Sequence, residues 1–193
     1  ALFGVFGTVG GAAQILAMLT IPLLRKKFSS KSILVGGILT TMTGYALLFV
    51  MGSLSITNMA LLSVAAIIIF MGFGIATVLT TVFLANTVDY GEWKNGQRTE
   101  SVIFSLQTFV VKLASAFSVL IAGVGLDLVG LDVDAAVQTD ATLLGLRFLM
   151  VVVPMIGLAF AIIYFVRFYK LGDDQLTEIT GELANRRESL GSV

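Results

Sequence analysis

Lys112 stands near the middle of an apolar run from Ser101 to Leu126 that contains no other charge. A cation at that depth in a bilayer costs about 2.5–3.5 kcal/mol on insertion scales. It is too deep for easy snorkelling to either interface. Such a side chain faces a wet cavity or a buried partner. Ser105, Thr108, Lys112 and Ser115 recur at i, i+3, i+7 and i+10, which is one face of a helix. A polar stripe with a lysine in it reads as the wall of an aqueous path. The competing reading is a structural lysine that pairs across helices and fixes their packing. Thr77, Thr80, Thr81 and Gln14 add hydroxyl and amide groups of the kind that hydrogen-bond polyols. In membrane helices the same residue types also serve backbone bonding and close packing.

A second group lies in the loop 86–100. Asp89, Glu92 and Glu100 face Lys94 and Arg98 across a few residues. Interlocked ion pairs at a helix junction can form a latch that breaks when the protein changes state. The alternative is an ordinary solvated turn.

The elements that must hold these residues follow from composition. The chain has 193 residues, of which 57% are apolar and only 12% charged, with a mean hydropathy of +0.99. That excludes a water-soluble globular domain, and disorder, which needs low hydrophobicity and high charge. Twelve Lys and Arg balance twelve Asp and Glu, and no basic cluster interleaves with aromatics, so no nucleic-acid partner is expected. Cysteine and histidine are absent, which removes thiolate metal sites and Ser-His-Asp chemistry. No enzyme is expected, because the apolar runs hold no carboxylate pair either. A channel would need a ring of like charges or a carbonyl filter, and neither is present. A cation site built on carboxylates must lie outside these runs, and so outside this chain.

Five runs reach the roughly 20 apolar residues needed to cross a bilayer. They are about 2–24, 32–52, 57–86, 101–126 and 142–169, the last with Pro154 near its middle as an expected kink. None shows the alternation of a barrel strand, so the fold class is all-α, a polytopic membrane protein. Arg25, Lys26, Lys27, Lys31, Lys94, Arg98, Arg167, Lys170, Arg186 and Arg187 all fall on one side of such a five-span chain. The loop 127–141 on the other side carries Asp127, Asp132, Asp134 and Asp140 and no Lys or Arg. The positive-inside rule makes the Lys/Arg-rich side cytoplasmic, with the C-terminus inside. Leu176, Ile179 and Leu183 recur at helical spacing in the tail 171–193, which predicts a short amphipathic helix on the cytoplasmic surface; a frayed tail is the alternative. The apolar start, without Met or a basic leader, predicts a cut inside or just before a membrane helix.

Residues 87–94, T-V-D-Y-G-E-W-K, then Arg98-Thr99-Glu100-Ser101, then Phe104-Ser105-Leu106-Gln107-Thr108-Phe109 and Lys112, resemble the glycoside–pentoside–hexuronide:cation symporters of the major facilitator superfamily, the melibiose-permease-like transporters. The likeness extends weakly over the whole chain and matches it to helices 8–12. Residues 1–170 would then be a partial C-terminal transmembrane bundle. Helix 7 and the N-terminal six-helix bundle, the partner of this bundle, would be missing. The resemblance implies a transporter of the bacterial plasma membrane that takes up sugars or glycosides with sodium or protons by alternating access. It implies that Lys112 lies in the central cavity with Thr108 and Gln107 beside the sugar, and that Asp89, Glu92, Arg98 and Glu100 belong to a cytoplasmic gate network. No cofactor is implied, and the coupling cation would bind in the missing half. Asn86 stands where many members have Asp. Thr77 stands about where one member stacks a tryptophan on its sugar, so a galactoside specificity does not carry over. A pentoside, a uronide or another small polyol remains open, and an antiporter or exporter of drugs or lipids on the same fold is the alternative.

Overall fold

The computed structural model describes residues 2–56, 58–135 and 137–191. Ala1, Thr57, Ala136, Ser192 and Val193, which belong to the readings of the chain start, two turns and the tail, lie outside the described residues. The described residues form helices and turns and no strand. The helices are α1 (Leu2–Leu24), α2 (Ser30–Ser53), α3 (Met59–Asn95), α4 (Glu100–Leu128), α5 (Asp140–Arg147), α6 (Val153–Phe168) and α7 (Asp173–Gly191). A π-helical turn at Phe148–Val152 joins α5 to α6. Among the described residues, five stretches are long and apolar enough to cross a membrane: Phe6–Leu24, Ser30–Ser53, Met59–Asn95, Glu100–Leu128 and Asp140–Phe168.

Local chemistry sets where these helices begin. Ser29 caps α2, its Oγ accepting the Ser32 N–H at 3.2 Å. Asn58 caps α3 by accepting the Ala60 N–H at 2.9 Å, and Thr139 caps α5 by accepting the Thr142 N–H at 3.1 Å. Each cap satisfies an amide that the first turn leaves without an intrahelical partner.

One expectation needs correction. The residues 87–95, read from sequence as loop, are the last turns of α3. This helix of 37 residues is about 55 Å long, far beyond the roughly 30 Å of a bilayer core. Hydropathy marks where a helix leaves the membrane, not where it ends. The stop is Gly96, at φ +70° with its N–H on the Glu92 carbonyl at 2.8 Å, a left-handed cap that glycine adopts without strain. Pro154, where the sequence predicts a kink, follows a π turn in which the Val153 N–H reaches back to the Phe148 carbonyl. Proline has no N–H to give its own turn, and the widened turn absorbs the fault.

The α3 helix forms the spine of the bundle, packed along its length by α1 and α2. Glycines permit the close approach. Gly37, Thr41 and Gly44 of α2 meet Gly72, Ile69 and Ala65 of α3. Buried Thr41 donates to the carbonyl of Gly37 in its own helix at 3.2 Å, and its Oγ lies 3.4 Å from the Ile69 carbonyl of α3. Small residues and shared hydroxyls of this kind hold membrane helices together where no hydrophobic force separates them from lipid. At the Lys/Arg-rich end, Phe83, Phe165 and Tyr169 cluster with centroids 4.7–5.0 Å apart, and this joins α6 to α3.

The tail is helical as α7, and its stripe is buried: Leu176, Ile179 and Leu183 pack against α3. Asp173 in its first turn accepts the Ser30 N–H at 2.8 Å, placing a carboxylate at the N-terminus of α2, where the helix dipole favours it. Lys31 answers from α2, donating to the Tyr169 carbonyl at 2.9 Å beyond the end of α6. These contacts tie α2, α6 and α7 together at one end. Asp173→Ala is therefore expected to destabilise the full-length protein by about 1 kcal/mol, read as a lower melting temperature in detergent. An unchanged melting temperature would mean that the Asp173–Ser30 bond has no role in stability.

Candidate functional site

Lys112 lies on α4 about 17 Å from one end of its apolar run and about 21 Å from the other, at 1.5 Å per residue. No residue of α4 is buried. Among the described residues Lys112 has neither an ion pair nor a hydrogen bond. Ser105, Thr108 and Ser115 on its face are likewise exposed. Their hydroxyls donate inward to the carbonyls of Val102, Phe104 and Val111 at 2.9–3.0 Å. Each hydroxyl proton is thus committed, and each oxygen keeps a lone pair able to accept a hydrogen bond from a sugar hydroxyl. The face offers acceptors in a row with a cation among them.

The other sequence-derived candidates share no hydrogen bond with this face among the described residues. Thr77 is exposed on α3 and donates to the Phe73 carbonyl at 2.8 Å. Among the described residues it shares no hydrogen bond with Gln107, Thr108 or Lys112. Gln107 is partly covered, as are Ile103 and Phe104. It lies five positions before Lys112, about 140° around the helix. The sequence motif places Gln107 next to Thr108, but helix geometry turns the two in different directions.

The charged group does come together. Arg98 pairs with Asp89 at 3.2 Å, with Glu92 at 2.9 Å and with Glu100 at 2.9 Å. Bonds to Glu92 first, then Glu100 and Asp89, raise the Arg98 pKa. Gly96 makes this possible by ending α3 so that the chain turns back to start α4 with Glu100 in its first turn.

Sequence reasoning missed the tail's share in this network. Arg187 of α7 donates to Glu92 at 2.8 Å. The indole N–H of Trp93 donates to Glu182 at 2.7 Å, and Arg186 donates to the Trp93 carbonyl at 3.3 Å. Glu92 is therefore shared between the α3–α4 turn and the tail. The sequence signal was present in the Leu176, Ile179, Leu183 stripe, with arginines beyond it, but a stripe does not name its partner.

Hydrogen bonds from Arg187 and then Arg98 hold the Glu92 carboxyl below its ordinary pKa. A depressed acid contributes stability above its unfolded pKa and loses it as pH falls through the folded value. Docking of α7 is thus expected to be indifferent to pH from neutrality down to the ordinary glutamate range and to loosen below it. Glu92→Gln is expected to loosen α7 at neutral pH, seen as faster tryptic cleavage after Arg186 and Arg187 in the full-length protein. An unchanged cleavage rate would show that Glu92 does not hold the tail.

Comparison with known proteins fits this architecture. A family profile described as MFS/sugar transport protein matches residues 1–173. The chain is 33% identical over 171 residues to the uncharacterised symporter YjmB of Bacillus subtilis (strain 168), covering 89% of this chain and 36% of that protein. It is 33% identical over 176 residues to a putative sulfoquinovose importer of Salmonella typhimurium, covering 91% and 36%. It is 28% identical over 165 residues to a putative 2,3-dihydroxypropane-1-sulfonate exporter of the same species, covering 86% and 35%. The chain thus spans about a third of the length of these relatives, and each is named for transport rather than for catalysis. With the five candidate spans of the described residues inside the matched region, the chain belongs to the MFS/sugar transport protein family of the major facilitator superfamily.

Proposed function

We propose that the whole protein is a secondary active transporter that takes up sugars or glycosides with a cation, sodium or a proton, by alternating access in the bacterial plasma membrane. The observation that carries this reading is Lys112 at mid-depth of an apolar span, on a face of hydroxyl acceptors and without an ion pair among the described residues. An ammonium group there is tolerable only if it looks into water shared with a second bundle. Lys112 orders the cavity and donates to substrate oxygens, and Thr108 accepts from a substrate hydroxyl. Thr77 contributes from α3, and Gln107 from a neighbouring face of α4.

Asp89, Glu92, Arg98 and Glu100 form the cytoplasmic gate network, which lies on the Lys/Arg-rich side. The two bundles rock about the site between them. The described spans hold no Asp or Glu between Leu2 and Asn86, or between Ser101 and Leu126, so the coupling cation binds in the N-terminal half.

Two relatives are named as putative exporters, which supports a second reading, outward transport on the same fold. The two readings are separated by uptake into vesicles under an imposed inward sodium or proton gradient. The probes are a methyl pentoside, a methyl hexuronide and sulfoquinovose. Accumulation of one of them above its equilibrium level supports symport. Failure of any gradient to drive accumulation, with efflux from preloaded vesicles instead, would overturn it.

A further inference from the structure

We propose that the groove where the ends of α3 and α6 meet α7 binds the headgroup of an anionic phospholipid, whose acyl chain lies along the outer face of α6. The groove has a volume of about 310 Å³ and is lined by Thr87, Tyr90, Phe168, Tyr169, Lys170 and Gln175. That volume is at the lower end of small-ligand sites.

Each of its free polar side chains can donate. Lys170 is exposed and forms no ion pair among the described residues. The Gln175 amide and the Tyr90 hydroxyl also have protons to give. Among the described residues no carboxylate lines the groove, and nearby Asp173 is engaged by the Ser30 N–H. A lysine flanked by neutral donors suits a phosphodiester.

The second observation decides what the phosphate is attached to. Phe160, Tyr164 and Phe168 are 69%, 57% and 63% exposed. They stack as a ladder one turn apart, with centroids 6.3 and 4.5 Å apart. The ladder runs along the membrane-spanning stretch Asp140–Phe168 and ends at Phe168, which is itself a wall of the groove. A soluble anion has no use for three exposed rings, whereas an acyl chain packs along them. The groove also sits where the apolar span ends beside Arg167 and Lys170, at headgroup level. Basic pockets between membrane helices at this level recognise anionic headgroups.

The test uses the full-length protein in detergent, with melting followed on adding phosphatidylglycerol, phosphatidylcholine of the same chains, or inorganic phosphate. Phosphatidylglycerol is expected to raise the melting temperature more than phosphatidylcholine does, and inorganic phosphate is expected to leave it unchanged. Lys170→Ala and Lys170→Gln should each lose most of the phosphatidylglycerol shift, and Lys170→Arg should keep it. Tyr164→Ala should weaken it, and Lys26→Ala, on the same side but away from the groove, should not. Equal losses in Lys26→Ala and Lys170→Ala would overturn the site in favour of diffuse surface charge. A shift reproduced by inorganic phosphate would overturn the lipid.

Discussion

Lys112→Ala in the full-length protein is expected to lower gradient-driven sugar uptake roughly ten- to hundredfold, with membrane abundance unchanged. A hydrogen bond to a charged group is worth about 1.5–3 kcal/mol, and each 1.4 kcal/mol is about a factor of ten. Nothing in this bundle depends on the side chain, because it is exposed and makes no ion pair among the described residues. The variant should therefore be as stable as the parent while transporting poorly. That combination separates a working lysine from a structural one, whose loss would lower stability and abundance together. Lys112→Arg keeps the charge but alters its shape and reach, so it should retain part of the activity. Parental uptake rates in Lys112→Ala would sink the assignment.

Gly72→Leu is expected to have the largest effect on assembly. A Cβ at Gly72 would overlap Thr41 Oγ1 and the Gly37 carbonyl oxygen and lie 2.7 Å from the Thr41 nitrogen. Two of those three obstacles are backbone, which cannot swing aside. Overpacking against movable side chains costs about 1–3 kcal/mol, and here α2 must separate from α3 along the seam. Gly36, in the same α2 helix, is the control: a Cβ there meets nothing within 4 Å. Gly36→Leu should leave the full-length protein monodisperse with a melting temperature near the parent's. Gly72→Leu should lower that temperature sharply or prevent recovery of folded protein. Equal behaviour of the two variants in size-exclusion and melting measurements would contradict the seam.

The contrast between Gly36 and Gly37 shows what the sequence could and could not reveal. Both glycines are visible as residues that permit close approach, but only the register of α2 on α3 says that one is open and the other is pressed on Ile75 and the Gly72 carbonyl. The membrane spans were legible because long apolar runs have one outcome in lipid. The overrun of α3 to Asn95 was not, since hydropathy falls at the membrane edge while the helix runs on to the Gly96 cap. Lys112 was legible because a lone charge in an apolar run is rare and costly. The direction of Gln107 was not legible, because residues five positions apart point about 140° apart on a helix. The tail stripe was legible as amphipathic, but its docking on α3 joins residues such as Glu92 and Arg187, 95 positions apart, and local spacing carries no such information.

On the proposed reading Lys112 faces water rather than lipid, and its chemical accessibility reports which. This chain has no cysteine, so Lys112→Cys and Val110→Cys, about 160° around α4, can be compared in the full-length protein with its other cysteines removed. A small, membrane-impermeant methanethiosulfonate should react with position 112 much faster than with position 110. Reaction at 112 no faster than at 110 would contradict the account.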